Sequence, residues 1–83
     1  MKILYFAWIK ERIGVATEEV SPPEEVGTPR ELAAWLAKRG DNYAAAFEDL
    51  EVIRVAIDQQ EQTLDTPLGA PSEVAFFPPV TGG

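Results

Sequence analysis

Eighty-three residues make one small domain, and a chain of this size buries only about 60–65% of its unfolded surface, leaving no room for a second core. Cysteine and histidine are absent, which excludes disulfides, thiolate zinc sites, cysteine nucleophiles and any Ser-His-Asp arrangement. Fourteen acids against seven bases give a formal charge of −7, the wrong sign for a nucleic-acid partner. It suits a soluble domain that docks on basic protein surfaces, although solubility alone accounts for such an excess equally well.

No apolar run approaches the ~20 residues of a membrane span, and the opening Met1-Lys2-Ile3-Leu4-Tyr5-Phe6 lacks the cleavage site of a secretory signal. The expected location is the cytoplasm. The opening reads as a first strand from Ile3 to Ile9, apolar on both faces, with Ile3, Tyr5, Ala7 and Ile9 on one side and Leu4, Phe6 and Trp8 on the other. Lys10 to Gly14 is expected as a turn, and Val15 to Val20 as the returning hairpin strand. Ser21 to Glu25 reads as a loop.

Thr28-Pro29-Arg30-Glu31 marks the start of the main helix. Thr28 is a cap, Pro29 fits the first helical position, and Glu31 completes a capping box. Leu32, Trp35 and Leu36 form its apolar stripe, and Gly40 closes it. Asp41 to Glu48 reads as a second short helix or turn pinned by Tyr43 and Phe47. Val52 to Asp58 alternates Ile53, Val55 and Ile57 with Arg54, Ala56 and Asp58, the pattern of a half-buried strand. Gln59 to Thr66 is expected to hold a tight turn and a short edge strand around Thr63-Leu64, with a loop over Pro67 to Ser72.

Glu73 to Phe77 is a last apolar strand. Pro78-Pro79 ends it, because neither residue has an N–H for a sheet ladder, and a proline pair favours a stiff extended exit. The chain is therefore divided into a domain over residues 1–77 and an extended tail over residues 78–83. That tail spans roughly 20 Å at about 3.3 Å per residue. Gly82-Gly83 carries no Cβ atoms, so it fits a narrow channel and presents the Gly83 carboxylate at its tip.

The run EVAFFPPVTGG, with the opening KILYFA and the stretch VAIDQ, resembles the small, sulfur-carrying subunit of molybdopterin synthase, a ubiquitin-like family. The resemblance covers nearly the whole chain and is most specific at the last eleven residues. The segment Gly69-Ala70-Pro71-Ser72 departs from the family's glycine- and aspartate-rich turn. The strand and helix order agrees with the α+β, β-grasp plan that the resemblance implies: a mixed sheet, one main helix on one face, and the first and last long strands side by side at its centre.

In that plan the second sheet face is uncovered, and alternation places Phe6, Trp8 and Phe77 on it as an aromatic patch for a partner. The resemblance supports Phe6 and Phe77; Trp8 rests on alternation alone. The resemblance further implies that Gly83 is adenylated and converted to a thiocarboxylate, with Pro79, Val80, Thr81 and Gly82 entering the partner's active site. The implied partners are the large synthase subunit, in a heterotetramer, a ubiquitin-activating-like adenylyltransferase and a sulfur donor. No cofactor is expected to be permanently bound, ATP being used by the activating enzyme. A carrier for thiamine or another thiolation pathway, a ubiquitin-like protein modifier and a binding domain with an inert tail are the alternatives. The carboxylate pairs Glu18-Glu19 and Glu24-Glu25, and the acids around Asp49, read as solvated surface, since no pocket that would shift their pKa values is evident.

Overall fold

A computed structural model describes residues 1–79 of the chain. A five-stranded mixed sheet is built from β1 (Lys2–Tyr5), β2 (Thr17–Glu19), β3 (Arg54–Ile57), β4 (Gln60–Gln62) and β5 (Glu73–Phe77). Its strand order is β2-β1-β5-β3-β4. β1 and β5 pair in parallel at the centre, with Ile3 opposite Val74 and Tyr5 opposite Phe76. The other pairings are antiparallel. The parallel pair is possible because the intervening helices carry the chain across one sheet face.

That face is covered by α1 (Ala7–Ile13), α2 (Pro29–Ala37) and α3 (Asp41–Ala46). One continuous core joins Ile9 and Ile13 of α1, Leu32 and Leu36 of α2, and Ala46 and Phe47 at the end of α3. From the sheet it takes Ile3, Tyr5, Val55, Val74 and Phe76. Three rings lock its centre: Phe47 meets Phe76 edge-on at 5.1 Å, and Tyr5 lies parallel to Phe76 at 6.5 Å. The α2 start forms as its sequence predicts. Thr28 Oγ1 accepts from the Glu31 amide at 3.2 Å, and Glu31 Oε1 accepts from the Gly27 amide at 2.9 Å.

The expected strand from Ile3 to Ile9 is not formed. β1 ends at Tyr5, and the expected turn from Lys10 to Gly14 is the body and end of α1. Two periods compete in this stretch. Alternation links Ile3, Tyr5, Ala7 and Ile9, while the spacing of Ile9 and Ile13 links one helix face. The helix wins after Tyr5 because both isoleucines are buried by it. Gly14 terminates it in a left-handed conformation, φ +99°, its amide donating to Lys10 O at 2.8 Å. The break itself falls on Ala7, a non-glycine residue at φ +52°. The expected return strand from Val15 to Val20 shortens to Thr17–Glu19.

The expected edge strand around Thr63-Leu64 lies earlier, at Gln60–Gln62. Asp58 and Gln59, both left-handed at φ +48° and +71°, make the two-residue hairpin turn that sets its register, with Ile57 opposite Gln60. Asp58 Oδ1 also accepts from the amides of Ser72 and Glu73 at 2.9 and 3.0 Å, tying the hairpin to the start of β5.

Candidate docking face and tail root

The sheet face opposite the helices carries two rows of side chains. Register and pleat alternation place Thr17, Leu4, Ala75, Ala56 and Glu61 across its middle, and Phe77 beside Arg54 at the end where the chain leaves β5. Ala75 is buried although no helix lies over it, because its own neighbours on the face enclose so small a side chain. The middle of the face is thus low, and Phe77, partly buried, stands at its rim.

Phe6 sits beside the same end. Its amide donates to Phe76 O at 3.2 Å, extending the parallel ladder by one bond, and its carbonyl accepts from Ile9 and Lys10 as α1 begins. At 48% exposure it is the most exposed large hydrophobic residue among the described residues. Pro78 and Pro79 follow Phe77 directly, partly buried, so the tail starts between an exposed aromatic residue and the rim of the sheet face. Alternation along one long strand assigns Phe6 and Phe77 to the uncovered sheet face; in the structure Phe77 stands at its rim, while Phe6 follows the end of β1 and caps α1 beside the same end.

Trp8 is different. The alternation that joined it to Phe6 and Phe77 does not exist beyond Tyr5. Trp8 lies on α1, packs against the core cluster and carries the Arg12 guanidinium 4.9 Å from its ring centre. Pro79 is within the described residues, whereas Val80, Thr81, Gly82 and Gly83, assigned to the partner's channel and to the chemistry, lie outside them.

The charged groups of the described residues are arranged as structure rather than as a reaction centre. Glu18 is the most heavily used. Its Oε2 accepts from Tyr5 and Tyr43 hydroxyls, both at 2.8 Å, and its Oε1 from Arg39 at 3.1 Å. Burial, reinforced by the Glu18 carboxylate, pushes both phenols above their ordinary value of 10.0. Glu18 is therefore not the solvated surface acid that its neighbours in sequence suggest, because all three of its partners come from distant segments. A cleft of about 660 Å³ opens by β3 and β4, where Arg30 pairs with Asp65 at 2.9 Å and Arg54 with Glu61 at 3.7 Å. The Arg30 guanidinium holds the Asp65 carboxyl below its usual range through their hydrogen bond. Among the described residues no three histidine, cysteine or acidic side chains are grouped to hold a metal ion, and no helix is long and apolar enough to cross a membrane.

Comparison with known proteins agrees with this arrangement. The chain is 39% identical over all 83 residues, and 99% of the relative, to a molybdopterin synthase sulfur carrier subunit of Escherichia coli K12. Its fold is similar to a Pyrococcus furiosus protein described provisionally as molybdopterin converting factor subunit 1. That match has a TM-score of 0.74 and 28% identity, and covers 95% of each chain. It is also similar to SAMP1 from Haloferax volcanii, with a TM-score of 0.72 and 25% identity over 100% of this chain and 98% of that one. The ThiS family model matches residues 3–83, from within β1 through the Gly-Gly end, and the chain belongs to the ThiS family.

Proposed function

We propose that this protein is the sulfur carrier subunit of a molybdopterin synthase, with the Gly83 carboxylate as the carrying group. The observation that carries the reading is the tail root. A proline pair leaves the central strand beside two aromatic residues at the open end of the sheet, in a chain that matches a sulfur carrier along its whole length. With no thiol anywhere in the sequence, sulfur has no side chain to ride on.

The chemistry runs through the tail. A carboxylate is a poor acceptor for a sulfur nucleophile. An adenylyltransferase therefore first joins the Gly83 carboxylate to the α-phosphate of ATP, releasing pyrophosphate. The terminal sulfur of a donor persulfide then displaces AMP to give an acyl disulfide. A second donor thiol attacks the donor-side sulfur, so that the donor leaves as a disulfide and the carrier as a Gly83 thiocarboxylate. The loaded carrier docks on the large subunit through Phe6 and Phe77, and Pro79, Val80, Thr81 and Gly82 deliver the sulfur to a pterin precursor in that subunit's active site. General acids, bases and anion-binding groups come from the partners, and this chain supplies the sulfur, the reach and the docking face.

The test is reconstitution with purified large subunit, activating enzyme, ATP, sulfur donor and precursor. Full-length carrier is expected to support dithiolene formation. Deleting Gly82 and Gly83 is expected to abolish it without changing the melting temperature, because the core of the described residues, from Ile3 to Phe76, is built from other side chains. Undiminished product from the deletion variant, or isopeptide conjugates in place of sulfurated pterin, would overturn the reading.

A further inference from the structure

Arg54 is the direct cross-strand partner of Phe77. The next strand out brings Glu61 to within 3.7 Å of its guanidinium, on the same face. Both side chains are more than half exposed, 58% and 56%, so in the free protein water screens the pair and its contribution to folding is small. Its position is what distinguishes it. A protein that draws in the tail from Pro78 onward must sit over the end of β5, and Arg54 lies one strand spacing, about 5 Å, from Phe77. Covering Phe77 therefore strips water from Arg54, and with it from Glu61. A desolvated charge left without a partner weakens a complex severely, whereas a matched one fixes orientation and rejects wrong surfaces.

We infer that the Arg54–Glu61 ion pair is a specificity element of the docking face. It selects a protein partner whose apolar seat for Phe77 is flanked by a carboxylate that receives Arg54 and, beyond it, a cation that meets Glu61. The inference rests on the sulfur-carrier reading above, and its occupant is the large synthase subunit.

Calorimetric titration of unloaded full-length carrier into the large subunit from the same source tests it. The key variant exchanges the charges, Arg54→Glu with Glu61→Arg, which preserves an ion pair within the carrier and reverses its polarity. The expected result is binding weaker by about tenfold or more, at an unchanged melting temperature. Arg54→Gln, which cannot disturb the strand pairing through charge, is expected to weaken binding in the same direction and to flatten its salt dependence. Binding of the exchanged variant within about threefold of the parent chain would overturn the inference. Phe77→Ala in the same assay separates the two levels. If it weakens binding while the charge exchange does not, the docking face stands and only the specificity element falls. If Phe77→Ala also binds as the parent does, or the parent chain does not bind at all, the docking reading itself fails.

Discussion

Glu18 shows how much a single carboxylate organises in a chain this small. The two tyrosines of the sequence, one on β1 and one on α3, both donate to the same oxygen, and Arg39 just beyond α2 meets the other. Glu18→Gln removes the ion pair and the charge from both phenol hydrogen bonds, and is expected to lower stability by about 1–3 kcal/mol in chemical denaturation. The same contacts set an alkaline limit. Folded-state phenol pKa values are raised, so the stabilisation is complete below the unfolded value of 10.0 and is lost as pH rises above it, where the unfolded chain ionises first. Stability measured against pH is therefore expected to fall from about pH 10 upward, with tyrosinate absorbance appearing together with unfolding. A phenol titrating near 10 in the folded protein would contradict this account of the cluster.

At the level of elements, legibility followed whether one period held the stretch alone. α2 was readable because its cap, its first-turn proline and its apolar stripe agree, and β3 and β5 because strict alternation or a proline stop marks them. β1 and α1 were not separable, since Ile3 to Ile9 satisfies the strand period while Ile9 and Ile13 satisfy the helical one. Burial of both isoleucines, a tertiary property, decides between them. The hairpin turn was missed by a few positions because Asp58 and Gln59 adopt left-handed conformations that sequence reasoning assigns to glycine. Trp8 follows from the same ambiguity. As a partly buried residue of α1 against the core, it is expected to cost about 2–3 kcal/mol on Trp8→Ala, read as a lower denaturation midpoint. A midpoint unchanged by that substitution would return Trp8 to the surface role that strand alternation assigned it.

For the molecule as a whole, the helices occupy one side of the sheet, and Pro78 follows directly from the end of its central strand, β5. The candidate site was legible where it is local in sequence: the strand, the proline pair and the diglycine end stand next to one another. Its flank was not. Phe6 reaches Phe77 through the parallel pairing of the two chain ends, and Glu61 reaches Arg54 through a hairpin whose register depends on an unusual turn. The proposed chemistry rests on Gly83. The most direct measurement is the intact mass of the protein after incubation with its activating enzyme, ATP and a sulfur donor. The account predicts a gain equal to the exchange of one oxygen for one sulfur, located at Gly83 by fragmentation and absent from a chain lacking that residue. An unchanged mass, with the same activating enzyme competent on another carrier, would contradict it.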